Sequence, residues 1–421
     1  MDFTVRNSNH YGHFFDHEKI YLRFLTIVES MQAALKALSL TAKGENTLDE
    51  DKLRAKVVES IKLQGFKVNP HLEPINNAKS TIRKIHEQKR NEQIFFHKKF
   101  LERHLKLAEK YAISGQFVPE NIELELMEVK PNSVESRLFF WWNLIWWSLP
   151  FDKPIGRQMR FLIWDKGHNA PFGLICLQSP PLKSAVRDNY LNLSGSDTTY
   201  WINQSMYAQR VGALPPYNDL IGGKMVALSL VCNEIRDAYS LKYKNRKTLL
   251  KERELPSNLL FITTSSAYGK SSMYERITYK NERIEKFIGF TSGAGTFHIS
   301  EPLYLELLTF LEHKGINAKR GYGTGSSRKL KLITKALSLL NLPKFSFHNI
   351  NRGYYLFSNV NNLVQVINNN KSPIWYNRPF DDLSEYWKAR WCLPRSIRKT
   401  KWKSFCFNAF FREASKMIEL A

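Results

Sequence analysis

Three turns rich in glycine, serine and tyrosine lie within residues 215–299, and they hold the residue types best suited to binding or chemistry. The first places Gly222 and Gly223 at the predicted start of a helix, with Lys224 directly after them. Free backbone N–H groups at a helix start lie at the positive end of its dipole, which favours a bound anion. The turn therefore predicts a site for a phosphate-bearing ligand or cofactor, with tight-turn structure as the alternative.

The second and third turns add polar side chains to this set. Tyr268, Ser271 and Ser272 follow a short apolar run, and each can contact a phosphate or a base. Ser272 also begins a capping-box pattern that predicts a helix over residues 271–279. His298 ends the third turn and is a candidate acid–base group, since histidine titrates near neutrality. Helix capping and a structural histidine are the competing interpretations.

Several catalytic templates are missing from the sequence. It contains neither a P-loop pattern nor a His-Glu-x-x-His pattern, and its acidic residues form no recognised magnesium-binding group. We therefore predict no metal site, find no evident cofactor, and leave catalysis undecided. Four scattered cysteines have no zinc or redox spacing and are expected to be reduced thiols of a cytoplasmic protein, namely Cys176, Cys232, Cys392 and Cys406.

The charge balance points to an anionic partner. The formal net charge is +23 and the pI about 9.7, which suits nucleic acid, an anionic membrane surface or an acidic protein. The longest apolar run, residues 138–149, is too short to span a bilayer, and residues 1–16 lack a signal-peptide pattern. We expect a soluble protein with nucleic acid as a partner and no membrane association.

The positive charge is concentrated in stretches that contain no acidic residue. Residues 314–335 and 388–403 each carry seven Lys/Arg, and the second stretch interleaves them with Trp387, Trp391 and Trp402. Cations beside aromatic rings suit stacked bases and their phosphates, although tryptophans packed inward behind a solvated face are equally compatible. The predicted nucleic-acid contacts are Arg157, Lys319, Arg320, Arg328, Lys329, Lys331, Arg395, Arg398 and Lys399.

These candidates are spread over three predicted regions of a mixed α/β fold of the α+β type. Residues 1–117 are predicted to be helical, with helices over 18–66 and a long basic helix over 78–113. That helix is either a solvated face or one wall of a nucleic-acid groove. Residues 118–312 are predicted to form a central mixed sheet flanked by helices. Residues 313–421 form a basic C-terminal region, with a helix over 328–340 and a strand pair over 345–357 in winged-helix-like order.

Within the central region, the order of elements is predicted to run from a hairpin over residues 160–177 to a strand pair over 286–299. A turn and helix over 218–243, a strand over 259–263 and the helix over 271–279 lie between them. The tryptophan-rich stretch 141–147 is predicted to be a buried helix, with a docking surface for a partner subunit as the alternative.

The motifs in this order resemble the DruA family of Druantia anti-phage defence systems. Five segments carry the resemblance: "PIGRQMRFLIWD" (154–165), "AVRDNYLNL" (185–193), "GALPPYNDLIGGKMVALSL" (212–230), "LLFITTSSAYGKSSMYERI" (259–277) and "IGFTSGAGTFHI" (288–299). The resemblance implies a bacterial defence role with other defence-system subunits, including a helicase-type partner. It implies no reaction.

The element order alone also resembles the acetyltransferase superfamily related to Gcn5. That superfamily's pyrophosphate loop follows the pattern Gln/Arg-x-x-Gly-x-Gly/Ala, and the segment around Gly222-Gly223 lacks it. Three functions therefore remain open from the sequence. The leading one is a nucleic-acid-binding defence component, the second an acyltransferase-like enzyme using the Gly222–Gly223 helix start, and the third a scaffold subunit.

Overall fold

A computed structural model describes residues 49–421 apart from 69–71, 114, 155, 194–197, 249–251, 292, 294, 296–297, 319–320, 322–325, 344 and 346. The described α-helices are α1 (Glu50–Leu63), α2 (Lys79–Phe96), α3 (Lys98–Lys110), α4 (Val134–Ile145), α5 (Ala185–Tyr190), α6 (Thr198–Ile202), α7 (Gly222–Leu228), α8 (Asn233–Tyr243), α9 (Glu301–His313), α10 (Ser326–Leu339), α11 (Leu363–Asn369), α12 (Phe380–Trp387), α13 (Leu393–Arg398) and α14 (Phe407–Leu420). The strands are β1 (Phe66–Val68), β2 (Leu72–Pro74), β3 (Leu124–Glu128), β4 (Gln158–Asp165), β5 (Ala170–Gln178), β6 (Ser205–Ala213), β7 (Phe261–Ser265), β8 (Thr278–Tyr279), β9 (Glu282–Arg283), β10 (Glu285–Phe290) and β11 (Gly353–Ser358).

A seven-stranded mixed sheet with flanking helices organises the molecule, as predicted for the central region. Its strand order is β10-β11-β7-β6-β5-β4-β3, and β6 and β7 form its parallel pair while the other neighbours are antiparallel. The parallel register joins Ser205–Ala208 to Phe261–Thr264, so β6 runs on past the end of its pairing with β7. The β4–β5 hairpin is the one that the sequence predicts.

Helical layers cover both faces of this sheet. Phe161 and Ile163 of β4 face a core shared with α7, α8 and α12, while Leu162 between them faces a core shared with α3, α4 and α14. This alternation follows from the two-residue period of side chains along a strand. A third core joins α1, α9 and α10 beside the β1–β2 hairpin.

The first described helix agrees closely with its sequence signals. Asp49 caps α1 by accepting a hydrogen bond from the backbone N–H of Lys52 at 3.1 Å. Leu53, Val57 and Ile61 form its buried face. Gly65 then adopts a positive φ of 103°, which glycine tolerates, and the helix ends before it. The predicted helical segment over residues 18–48 lies outside the described residues.

The tryptophan-rich stretch is a buried helix, as predicted. Trp141 and Trp142 lie in α4 and are almost completely buried, and the Trp141 indole N–H donates to the Leu101 carbonyl at 3.2 Å. Trp146 and Trp147 are half-buried after the helix end. The docking-surface alternative is therefore wrong for Trp141 and Trp142.

Two helix predictions are wrong. The long helix over 78–113 is two helices, because the backbone leaves helical geometry at His97 between α2 and α3. The segment 271–279 is a series of turns that leads into β8. Tertiary contacts outweigh the capping pattern there, since the Ser271 N–H donates to the Tyr355 hydroxyl at 3.0 Å. The acetyltransferase-like order therefore lacks its second helix.

Two strand-pair predictions are also wrong. β10 pairs with β11, about 70 residues later, and the described residues of 291–299 contain no strand. Among the described residues of 345–357 the strand is β11, which lies inside the central sheet between β10 and β7. The winged-helix hairpin is therefore absent from this part of the described chain, because its strand serves the main sheet.

The helix predicted over 328–340 is present as α10 with a different inner face. Ile333, Leu337 and Leu340 are buried as expected, whereas Leu330 is exposed and Leu332 is buried instead. No described helix has both the length and the apolar character needed to cross a bilayer.

Candidate nucleic-acid interface

The predicted phosphate turn is covered by another part of the chain. Gly222 begins the seven-residue helix α7, directly after Ile221, which has a φ of 62°. A Cβ atom at Gly223 would lie 2.9 Å from the Met273 sulfur, so the second turn packs directly on the first. At Gly222 a Cβ would lie 2.6 Å from the Tyr217 carbonyl oxygen, which explains why glycine is needed at this close approach.

Lys224 ties the same two turns together. Its Nζ donates to the Glu275 carbonyl oxygen and lies 3.4 Å from that of Arg276. Burial lowers the pKa of Lys224, with the nearby Arg276 charge acting in the same direction. The amine is therefore half-buried and already makes a structural hydrogen bond.

The other polar candidates are divided between the second turn and the third core, against which Tyr268 packs. The Tyr268 hydroxyl is 3.1 Å from Ser148 Oγ, and Ser271 Oγ accepts a weak bond from the Met273 N–H at 3.4 Å. Ser272 is exposed on the turn. His298 is buried in the third core, where burial, followed by the charge of His348, lowers its pKa to about 3.

These seven candidates do not form one site. The structure brings the Gly222–Lys224 turn against residues 273–276, while His298 packs its ring 5.6 Å from that of Phe66. Phosphate or acyl-cofactor binding at the helix start stays a prediction. Among the described residues, no group of three or more His, Cys, Asp or Glu is arranged to hold a metal ion.

Arg157 has its guanidinium bound inside the protein. It donates to the carbonyl oxygens of Asn203, Ile202 and Ser205, the last two at 3.3 Å, and to the Tyr239 hydroxyl. Such a forked set of bonds fixes the start of β6 to β4.

Two of the cations on α10 are already bound to other parts of the chain. Arg328 donates to the Ala318 carbonyl at 2.9 Å, and Lys329 forms an ion pair with Glu301 at 2.7 Å. Lys331 is exposed. Lys319 and Arg320 lie outside the described residues.

Residues 388–403, here called the basic segment, present cations on a fixed support. A π-helical turn (Lys388–Cys392), α13 and a 3₁₀ turn (Lys401–Ser404) follow one another there. Trp387 and Trp402 are buried beneath them, donating to the carbonyls of Ile221 and Ser396, each at 3.2 Å. The interpretation with tryptophans packed inward is therefore correct for these two, and base stacking on them is wrong.

The outward face of the basic segment is strongly positive. The exposed cations are Arg390, Arg398, Lys399, Lys401 and Lys403. Of these, Lys401 forms an ion pair with Asp219 at 3.1 Å, and the other four enter none of the ion pairs between described residues. Arg395 instead turns inward and donates to the Asp219 carbonyl at 3.3 Å. Ile397 stands exposed among the cations at 81%.

A second row of cations was missing from the predicted site residues. Lys99, Arg103, Lys106 and Lys110 are all exposed on α3, at spacings of four, three and four residues. Such spacing places side chains on one helix face, and the row is about 16 Å long at 1.5 Å per residue. The spacing of the Lys/Arg residues was the available signal, since residues 79–110 hold ten of them against four acidic residues.

Comparison with known proteins agrees with the sequence motifs. The sequence model of the family described as "DruA: Druantia protein DruA" matches residues 76–369. The chain belongs to the DruA family. It is also 32% identical over 367 residues to "Druantia protein DruA" of Escherichia coli (strain UMEA 4076-1), an alignment that covers 85% of this chain and 90% of that protein. No solved structure matches the chain. As a DruA-family member, the protein is a component of a Druantia anti-phage defence system, and such a system implies partner subunits.

Proposed function

We propose that this DruA-family protein binds nucleic acid within its defence system and that the basic segment makes the phosphate contacts. One observation supports the proposal best: Arg390, Arg398, Lys399 and Lys403 are exposed together and free of ion pairs with other described residues. A polyanion that meets four such cations releases its own bound counterions, which is the main source of sequence-independent affinity.

Buried contacts beneath the basic segment hold its backbone, and so its cations, in a fixed position. Trp402 is buried under the 3₁₀ turn, and its indole bond to Ser396 fixes α13 relative to that turn. Arg395 also anchors the segment, by donating to the Asp219 carbonyl. A backbone held in place in this way loses little conformational freedom when the cations meet phosphates.

The α3 row is a second surface for the same ligand. Lys99, Arg103, Lys106 and Lys110 lie about 4.5–6 Å apart along the helix axis, and a row about 16 Å long can contact several phosphates, which are about 3.4 Å apart for each strand along a duplex axis. The protein has no P-loop in its sequence, so unwinding or translocation would fall to a partner subunit of helicase type. We propose that the DruA-family protein supplies nucleic-acid contact and the partner supplies the motor.

A salt titration tests the proposal. Fluorescence anisotropy measures binding of labelled single-stranded DNA, double-stranded DNA and RNA between about 50 and 300 mM KCl. The variant Arg398→Gln/Lys399→Gln/Lys403→Gln should flatten the slope of log K against log salt by about 2 to 3 for duplex DNA, at about 0.9 for each lost phosphate contact. Its affinity at the lowest salt should fall at least tenfold.

A matched variant removes the same charge elsewhere. Lys62, Lys67 and Lys84 are exposed on α1, β1 and α2, and changing all three to Gln also removes three positive charges. This control should keep most of the wild-type slope. Equal slopes for the two variants would reject the basic segment as the contact, and absence of salt-dependent binding to all three ligands would reject nucleic-acid binding itself.

A further inference from the structure

A small pocket with carboxylates and aromatic rings in its lining lies at the β3 edge of the sheet, in contrast to the positively charged basic segment. Its volume is about 380 Å³, and its lining consists of Tyr111, Glu125, Met127, Val134, Glu135, Trp164, Lys166 and Asn169. Glu125 of β3 and Trp164 of β4 are direct partners in the antiparallel register, so the carboxylate stands beside the indole on one face of the sheet. The end of α3 and the start of α4 supply the other walls.

The aromatic part of the pocket has the geometry of a cation site. The Tyr111 and Trp164 rings meet edge to face, with centroids 5.4 Å apart and planes at 73°. Two rings at such an angle form a corner whose faces are available to a cation. Lys110 already places its Nζ 5.3 Å from the Tyr111 ring centroid on the solvent side, which shows that a cation is tolerated there.

The two carboxylates of the pocket, Glu125 and Glu135, outnumber the one lysine that lines it, Lys166. Glu125 and Glu135 appear in none of the ion pairs or side-chain hydrogen bonds between described residues, whereas the nearby Glu123 pairs with Lys166. Glu123 raises the pKa of Lys166, and Glu125 and Asp381 act in the same direction, so the local field is negative. Because Lys166 is paired with Glu123, the charges of Glu125 and Glu135 remain to attract a further cation, even on a chain with a net charge of +23.

We propose that this pocket binds an arginine side chain from a segment of a partner protein. A planar guanidinium can stack on Trp164 while its N–H fork reaches the carboxylates of Glu125 and Glu135. Lysine fits less well, because a compact, strongly hydrated ammonium neither stacks nor forks. The inference is independent of nucleic-acid binding, since it concerns another surface and a ligand of the opposite charge.

Fluorine NMR of the full chain labelled with 5-fluorotryptophan tests the site directly. The chain has ten tryptophans, and the Trp164→Phe variant identifies the Trp164 signal. The probe is a five-residue peptide, blocked at both ends, with a central arginine. Increasing peptide should move the Trp164 signal to saturation, while the citrulline form of the same peptide, which is neutral and of the same shape, should leave it in place.

Charge variants make the result specific. Glu125→Gln/Glu135→Gln should lower the affinity for the arginine peptide by about tenfold or more, since two charge-assisted hydrogen bonds are lost. The control Glu59→Gln/Glu73→Gln removes two exposed carboxylates elsewhere and should change nothing. Spermidine should shift the signal more weakly than the peptide, because it offers ammonium groups alone.

Several results would overturn the proposal. They are an unmoved Trp164 signal with the arginine peptide, an equal response to citrulline, or unchanged binding by Glu125→Gln/Glu135→Gln. Tighter binding of spermidine than of the peptide would replace the protein partner with a free amine. Self-association that depends on Glu125 without any peptide binding would replace it with a second copy of the chain. None of these outcomes depends on nucleic acid, so the proposed function stands or falls separately.

Discussion

Replacing Asp165 with alanine should strongly destabilise the end of the β4–β5 hairpin and the turn before α7. Asp165 is completely buried at the last position of β4. Its Oδ1 accepts hydrogen bonds from the backbone N–H groups of Glu123 at 3.0 Å and Gly167 at 3.1 Å. Its Oδ2 lies 2.6 Å from His168 Nδ1 and 2.8 Å from the hydroxyl of Tyr217.

The size of the effect follows from the groups left without an acceptor. Burial, together with the Asp165 charge, raises the pKa of Tyr217, so its hydroxyl keeps its proton and depends on this carboxylate. A buried donor without an acceptor costs about 1–3 kcal/mol, and both Tyr217 and His168 become such donors. The two backbone N–H groups are only partly buried and can be hydrated. We expect a total loss of about 3–5 kcal/mol in the free energy of unfolding.

Urea unfolding and hydrogen exchange measure this loss in two ways. Asp165→Ala should lower the urea midpoint without a change in m, and Asp165→Asn should cost less, because its amide oxygen still accepts the backbone bonds. Amides in residues 117–124 and 214–224 should exchange about 100 to 4000 times faster in Asp165→Ala, since 1.4 kcal/mol is a factor of ten. A loss below about 1 kcal/mol, or unchanged exchange in both segments, would refute the reasoning.

Three further predictions concern buried groups. Arg157→Lys should lower stability by about 2 kcal/mol in urea unfolding and leave DNA affinity unchanged, because the guanidinium bonds to backbone carbonyls; a selective loss of DNA affinity would contradict this. Trp141→Ala should cost about 3–5 kcal/mol by the same assay, since the ring is fully buried, and a cost under 1 kcal/mol would show that it does not belong to the core. Burial holds the pKa values of His86 and His298 at about 3, so both stay neutral when folded, and the stability present above pH 6.5 should be lost as pH falls toward 3. Between pH 7 and pH 5 each should contribute a loss of about 2 kcal/mol, and a flat pH dependence in this range, or an equally steep one in His298→Asn, would disprove the assignment.

Local sequence signals were sufficient wherever neighbours in the chain decide the structure. Asp49 and Gly65 fix the ends of α1, and the apolar runs of β4 and β5 with their intervening turn fix the hairpin. The inward face of α4 was also readable, because tryptophans at helical spacing must be buried together. The family motifs and the basic character likewise needed no coordinates.

Local signals failed where distant segments compete for the same backbone. The turn at 271–279 has a good helix-capping pattern, yet the Tyr355 hydroxyl holds its first N–H and Met273 packs against Gly223. β11 reads as half of a hairpin but pairs with β10 and β7. In each case the decisive bond joins residues about 50 to 90 positions apart, which no short window of sequence contains.

By itself, the sequence determined the family, the mixed α/β class and the excess of positive charge that calls for an anionic partner. Only the tertiary structure decided which of these charges are exposed to solvent and which are bound inside the protein. Arg157 and Arg328 carry the same guanidinium as Arg398, but the first two donate to backbone carbonyls of other segments, whereas Arg398 is exposed and donates within its own helix, to the Pro394 carbonyl at 3.0 Å. The sequence specifies the charge of a side chain, whereas its exposure to solvent depends on which distant segments fold against it.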